Sequence, residues 1–129
     1  MLETIQSQSA PAAVGPYAQA VRHQDTLYLS GQIGLVPATG KLVDDTLAGQ
    51  AQQVMQNLQA VLQAGGCSLT DIIKVNIYLL DMADFPELNT LYAAWLGEHR
   101  PARATVAVAA LPLGARVEMD VIARCAGDA

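Results

Sequence analysis

Two β-compatible runs near the end of the chain decide the fold: Pro101-Ala102-Arg103-Ala104-Thr105-Val106 and Val117-Glu118-Met119-Asp120. Together they predict a hairpin-like stretch that places Arg103 beside Glu118. Because Arg103 is flanked by two alanines, it has no local partner. Its planar guanidinium is therefore free to hold a small carboxylate in two parallel hydrogen bonds. The stretch predicts a pocket that binds an organic acid.

Two interpretations of this arginine are open from the residues alone. Arg103 could bind a ligand, or it could pair across the hairpin with Glu118 as a structural salt bridge. Glu118 lies between two apolar strand residues and points away from them, so its carboxylate could orient water or face solvent. Tyr17 and Ser30 place hydroxyl groups near glycine turns, where a backbone can approach a ligand closely, although such residues are also common in turns without a function.

The hydrophobic pattern predicts two helices between short strands. Apolar residues recur at helical spacing over residues 47–64, ahead of Gly65-Gly66, and over residues 88–96, ahead of Gly97. The predicted strands span residues 18–21, 26–30, 72–80, 104–109 and 117–123. The first two of these strands read as an N-terminal hairpin.

Several polar and aromatic residues of the helices have ordinary structural explanations. The glutamines of the first helix, together with Asn57, are predicted to lie opposite its apolar stripe on a solvated surface. Asp84 and Glu87 are spaced as a capping box for the second helix. Tyr92 and Trp95 are assigned to core packing, since aromatic residues at helical spacing usually belong to the core.

The order of elements predicts an α+β fold in one domain, residues 1–129. Two helices can cover only one face of the sheet. Apolar residues lie on both sides of the strand at 72–80, and hydrophobic residues make up 52% of the chain while charged residues make up only 15%. We therefore expect the second face of the sheet to meet copies of the same chain in a closed symmetric assembly.

Composition and motifs exclude several functional classes. The chain has 7 Lys and Arg residues against 12 Asp and Glu residues, and its net charge of -5 argues against a nucleic-acid partner. The Gly31-Gln32-Ile33-Gly34 motif lacks the Gly-Lys-Ser/Thr of a nucleotide-binding loop. His23 and His99 belong to no metal-binding motif, so we expect no metal.

Cysteine usage and hydropathy predict a cytoplasmic protein. Cys67 and Cys125 lie far apart in the sequence and outside any CxxC pair, which is typical of reduced thiols in an intracellular protein. The first residues lack the basic and apolar regions of a signal peptide, and no stretch reaches the roughly 18 apolar residues of a membrane span. A membrane is therefore not an expected partner.

Four segments together resemble the RidA/YjgF family nearly end to end. They are Gly15-Pro16-Tyr17, residues 30–34, residues 84–89, and Pro101-Ala102-Arg103 with residues 117–119. The resemblance implies a chorismate-mutase-like α+β fold, a mixed β-sheet with two helices on one face, and a homotrimer with clefts between subunits. It also implies an enamine/imine deaminase that hydrolyses 2-iminoacids, such as those formed from 2-aminoacrylate, to 2-ketoacids and ammonia.

Residue roles follow from the same resemblance. It implies that Arg103 binds the substrate carboxylate, that Glu118 positions the attacking water, and that Tyr17 lies in the pocket. We hypothesise that Tyr17 or a neighbouring hydroxyl assists proton transfer and that no cofactor is needed. The implied substrate-binding residues are Ser30, Gly31, Asn89 and Thr105. Thr105 stands where many members have a cysteine, so we expect deamination without a cysteine nucleophile and with altered substrate preference. The alternative is a non-catalytic trimer that binds small carboxylates or regulates a partner protein.

Overall fold

The computed structural model describes residues 1–125 as one six-stranded sheet with two α-helices on one of its faces. The strands are β1 (Leu2–Ile5), β2 (Ala20–His23), β3 (Thr26–Gln32), β4 (Ile72–Leu79), β5 (Ala102–Ala107) and β6 (Val117–Arg124), and the helices are α1 (Leu47–Ala64) and α2 (Phe85–Leu96). Short 3-10 helices span Leu69–Asp71, Met82–Asp84 and Pro112–Gly114. Among the described residues, no helix combines the length and apolar character of a membrane span.

The strand order is β1-β2-β3-β6-β4-β5, so β4 separates the last two strands of the chain. The predicted hairpin between these strands is wrong. α2 forms the crossover connection between β4 and β5, which pair in parallel. β6 lies between β3 and β4 and is antiparallel to both. The connection at residues 108–116 therefore carries the chain across β4 instead of folding it back.

Alternation along the strands separates the two faces of the sheet. On β6, Val117, Met119 and Val121 are buried beneath the helices, whereas Glu118 and Asp120 point the other way. We call the face opposite the helices the open face. Its side chains include Tyr28, Ser30, Lys74, Asn76, Tyr78, Val106, Glu118, Asp120 and Ile122. The predicted α+β class, with both helices on one face, is confirmed.

The predicted elements agree with most of the structure. α1 has the predicted bounds, and β2 and β3 form the predicted N-terminal hairpin. β1 was not predicted; it extends the sheet by pairing with β2. In β4 the alternation of buried residues does not extend to Ile73, which is 46% exposed. A register shift between Ile72 and Lys74 turns Ile72 into the core instead.

The start of α2 differs from the predicted capping box. Asp84 has helical backbone angles and its side chain caps no backbone N–H. A 3-10 turn precedes the helix, and the Asp81 side chain accepts a hydrogen bond from the Ala83 N–H at 2.9 Å. Tyr92 and Trp95 pack edge to face with ring centroids 6.3 Å apart, which agrees with their assignment to the core.

The two cysteines lie together, which contradicts the expectation of separate reduced thiols. The structure joins Cys67 and Cys125 in a disulfide, with their Cα atoms 5.1 Å apart. Their separation of 58 residues in the sequence concealed this contact. Cys67 follows the end of α1 and Cys125 follows the end of β6, and the fold brings these two ends together.

Candidate active site

Four of the predicted site residues line one cavity of about 510 Å³: Tyr17, Ser30, Gly31 and Glu118. We call it the Glu118 cavity. Most of its remaining wall is apolar and comes from the loop before β2, the segment after β3 and the turn at Pro112–Gly114. Glu118 is the only charged side chain among its described lining residues. The cavity therefore offers hydroxyl groups and one carboxyl group, but no cation.

A β-bulge shapes this cavity. Leu29 of β3 pairs with Val121 of β6, but Gln32 pairs with Met119, so β3 carries one extra residue between these pairs. Gly31 lies within the bulge. A β-carbon at this position would overlap the Glu118 Oε2 atom and would lie 3.0 Å from its Cδ. Glycine is therefore the residue that lets the Glu118 carboxyl group occupy the cavity.

The environment of Glu118 makes its carboxyl group harder to ionise than a solvent-exposed one. Burial raises the pKa of the Glu118 carboxyl group, and the negative charge of Asp120 on the same strand raises it further. Two donors hold Asp120 beside it. Asn76 Nδ2 donates to Asp120 Oδ1 and the Tyr78 hydroxyl donates to Oδ2, each at 2.9 Å. These contacts fix the Asp120 carboxylate beside Glu118, where its charge adds to the larger effect of burial on the Glu118 pKa.

A buried glutamine that the sequence did not reveal shapes the loop before β2. Gln19 Oε1 accepts from the Ser7 N–H at 2.6 Å, and its Nε2 donates to the carbonyl oxygens of Ser7 and Pro11. The Gln19 carbonyl also accepts from the Ser30 N–H at 2.9 Å. This loop carries Tyr17, whose side chain is 53% exposed at the cavity. Gln19 therefore positions both hydroxyl-bearing residues.

Two buried amides of α1 bind irregular backbone near the cavity. Asn57 Nδ2 donates to the Leu35 carbonyl at 2.9 Å, which holds the segment after β3. Gln50 Nε2 donates to the Asp44 carbonyl, and its Oε1 accepts from the Arg116 N–H at 2.8 Å just before β6. Both side chains form hydrogen bonds with backbone N–H or carbonyl groups outside regular secondary structure, which would otherwise lack partners.

The prediction that Asn57 faces solvent is therefore wrong. Gln50 and Asn57 are fully buried. They are spaced at helical intervals with Val54 and Val61, and this spacing is the signal that could have identified them. The prediction assumed that a polar side chain lies in solvent, but a buried amide is stable where it forms hydrogen bonds with backbone groups.

Arg103 lines a different cavity, of about 500 Å³, together with Asn89, Tyr92 and Arg100. We call it the Arg103 cavity. Arg103 Nη1 donates to Asn89 Oδ1 at 2.7 Å. Its Cζ atom lies 5.3 Å from the centroid of the Phe85 ring and 5.1 Å from that of the Tyr92 ring. The guanidinium is thus exposed at the cavity but held by α2.

Arg103 and Glu118 do not meet within one chain. Arg103 pairs with Val75, which pairs with Val121, three residues along β6 from Glu118. Strand spacing places the two Cα atoms roughly 14 Å apart, and the odd offset turns their side chains to opposite faces. No ion pair links them among residues 1–125. The predicted proximity and the alternative salt bridge are both wrong for a single chain.

Thr105 lines neither of these cavities. It pairs with Ile77, so it shares the helix-covered face with Arg103. Its hydroxyl oxygen is buried and has no hydrogen-bond partner among the described residues. A role for this side chain in substrate binding stays a prediction.

The sequence of this chain matches a known protein family over most of its length. A family model described as endoribonuclease L-PSP matches residues 7–125. The chain belongs to this family. The resemblance to RidA/YjgF proteins is thereby confirmed, because family members include a mouse protein named 2-iminobutanoate/2-iminopropanoate deaminase. That protein is 44% identical over 121 residues, which cover 94% of this chain and 90% of the mouse protein.

Solved structures of the family share the fold. RidA from the Antarctic bacterium Psychrobacter is 48% identical and superposes with a TM-score of 0.91, over 95% of this chain and 98% of that one. The E. coli protein TdcF, solved with bound serine, is 37% identical with a TM-score of 0.90, over 95% and 98% of the two chains. The architecture described above is therefore that of the family.

Proposed function

We propose that this protein is an imine deaminase, which hydrolyses 2-iminoacids to 2-ketoacids and ammonia. The observation that carries the proposal is the Glu118 cavity, which a half-buried carboxyl group with a raised pKa lines together with Tyr17 and Ser30. The name of the mouse relative, at 44% identity, supports the same reaction.

The complete site lies between protomers of a homotrimer. The Glu118 cavity has no cationic lining residue, so it would repel the carboxylate of an iminoacid by itself. Arg103 lies on the other face of the sheet in the same chain. A neighbouring protomer packed on the open face can supply its own Arg103 to this cavity. The open face itself, which no described element covers, supports this assembly, and the family resemblance supports three copies.

The chemistry requires one group that moves a proton from water to nitrogen. The Glu118 carboxylate accepts a proton as the water oxygen bonds to the imine carbon, and the resulting carboxylic acid protonates the nitrogen. The Glu118 carboxylate then takes the hydroxyl proton of this carbinolamine and passes it to the nitrogen as the C–N bond breaks, which releases ammonia and leaves the ketone. Tyr17 assists the proton transfer, while Ser30 and Gly31 line the substrate position. No step needs a covalent enzyme intermediate, so Thr105 in place of cysteine does not prevent turnover.

RNA cleavage, which the family description names, fits this chain less well. Binding to a polyanion depends on lysine and arginine contacts to phosphates, and the net charge of -5 opposes it. A small anionic substrate needs only one well-placed guanidinium. We further propose a cytoplasmic location, which cell fractionation would test.

Imine hydrolysis can be measured directly. An amino-acid oxidase generates each iminoacid in situ, and semicarbazide traps the iminoacid that survives. Loss of a buried charge partner typically costs about 2–5 kcal/mol, so we expect Arg103→Ala to lower kcat/KM on the order of 100-fold. Glu118→Gln should cause a comparable loss, and Lys41→Ala on an exposed loop is the charge-removing control. Ketoacid binding without acceleration of imine loss would favour the non-catalytic alternative.

Mixed trimers test the shared site. If Arg103 and Glu118 of different protomers form it, co-refolding Arg103→Ala with Glu118→Gln should restore about a quarter of wild-type activity, since about one site in four then joins both intact residues. No recovery in confirmed mixed trimers would contradict a site shared between protomers.

A further inference from the structure

One face of α2 surrounds the Arg103 guanidinium. Phe85, Asn89 and Tyr92 are spaced four and three residues apart, which aligns them on one side of the helix. All three contact Arg103. We call these three residues the α2 cradle.

The α2 cradle restricts the conformations of the exposed Arg103 side chain. Arg103 is an exposed residue on a strand with no neighbour beyond it in the sheet. A free arginine side chain carries about 2 kcal/mol of rotamer entropy, which would oppose carboxylate binding. Cation–π contacts with two rings and one charge-assisted hydrogen bond restrict it before any ligand arrives.

The rings themselves are held by the core. Tyr92 is only 6% exposed, and Phe85 is partly buried against the hydrophobic core. Both therefore form a rigid support for a side chain that is itself exposed. Asn89 accepts from Nη1 alone, which leaves the remaining N–H groups of Arg103 free for a carboxylate.

We propose that Phe85, Asn89 and Tyr92 are positioning residues that hold the Arg103 guanidinium in the orientation that binds the substrate carboxylate. This inference rests on the proposed function. It changes the predicted role of Asn89, which acts through Arg103 instead of contacting the substrate. The ring of Tyr92, not its hydroxyl, provides the support, because this hydroxyl is buried without a hydrogen-bond partner among the described residues.

Kinetics of matched variants test the cradle. Tyr92→Leu and Phe85→Leu should each raise KM roughly 3- to 30-fold through loss of a cation–π contact. The kcat should change little, because the carboxylate is bound similarly in the ground state and the transition state. Tyr92→Phe and Phe85→Tyr keep the rings and should retain the wild-type KM. Asn89→Ala should raise KM, whereas Asn89→Asp keeps the acceptor oxygen and should retain much of the affinity.

Leu91→Ala is the control for structural damage. Leu91 lies on α2 and packs against the core, and it is not among the described residues that line the Arg103 cavity. This variant should lower Tm without raising KM. A KM increase in Leu91→Ala equal to that in Tyr92→Leu would overturn the proposal.

A binding measurement separates this inference from the proposed function. Calorimetric titration with 2-ketobutyrate reports carboxylate affinity without turnover. If the wild type binds 2-ketobutyrate and Tyr92→Leu weakens it while Tyr92→Phe does not, the cradle stands even where no imine is hydrolysed. If imine hydrolysis is present but both Kd and KM are unchanged in Tyr92→Leu, the cradle is refuted alone. If the wild type does not bind the ketoacid, there is no carboxylate to orient and the cradle is also refuted.

Discussion

Gly31→Ala should reduce imine hydrolysis about 100-fold while leaving the chain folded. The new β-carbon would overlap the Oε2 atom of Glu118 and would lie 3.0 Å from its Cδ and 3.3 Å from its Cγ. Gly31 is absent from the glycines with positive φ, so its backbone accepts alanine without strain. The conflict is therefore confined to the Glu118 side chain.

The magnitude follows from the movement that the clash requires. Ordinary van der Waals contacts begin near 3.4 Å, so the carboxyl group must turn away by about 1 Å or more. A misplacement of this size can cost on the order of 100-fold in rate. The folding cost should stay near the lower end of the roughly 1–3 kcal/mol typical of overpacking, because the end of a flexible side chain can yield.

The assay compares kcat/KM for iminobutyrate with the affinity for 2-ketobutyrate. Affinity should fall much less than kcat/KM, because Gly31→Ala adds one methyl group to the cavity and leaves Arg103 unchanged. A double-mutant cycle provides the control: Gly31→Ala with Glu118→Ala should be no slower than Glu118→Ala by itself, since the clash then has no partner. A single variant with near wild-type kcat/KM, or additive losses in the cycle, would refute the reasoning.

Three further predictions concern the surroundings of the site. Asp120→Asn removes a negative charge that raises the pKa of Glu118. This pKa should therefore fall, and the acid limb of the pH-rate profile should move to lower pH. An acid limb that stays in place or moves to higher pH would contradict the role of Asp120. Cys125→Ser should lower the free energy of unfolding without reductant by about 4 kcal/mol, from the 58-residue separation of the bonded cysteines, and dithiothreitol should bring the wild type to the same denaturation midpoint. Equal midpoints in both conditions would contradict it. Gln19→Leu leaves the backbone groups of the loop before β2 unpaired, so it should lower the free energy of unfolding by about 1–3 kcal/mol in a urea titration. An unchanged midpoint would show that the Gln19 hydrogen bonds do not stabilise this loop.

Patterns with a short range identified much of the fold. The bounds of α1 follow from its apolar spacing and from the glycines after it, and the alternation of β6 shows that Glu118 points away from the core. Both features depend on neighbours within one or two turns or a few strand residues. The family motifs likewise are local, so they indicated the candidate residues before any coordinates were known.

Features with a long range were missed or misjudged. The disulfide, the bulge at Gly31 and the buried amides all depend on what lies across from a residue in space. Asn57 illustrates the difference. Its polar character indicated solvent, but the carbonyl group of Leu35 provides a hydrogen-bond partner for its buried side chain.

Residue order in this chain was enough to establish its family, its α+β class and the side of each strand that faces the core. Only the folded arrangement decided that β4 separates Arg103 from Glu118 and that the two side chains emerge on opposite faces. The physical reason is that helical and strand periodicities arise between neighbouring residues, whereas strand order is chosen by packing between distant segments. The connection at residues 108–116 contains the turn residues of a hairpin, and only the position of β6 between β3 and β4 shows that it is not one.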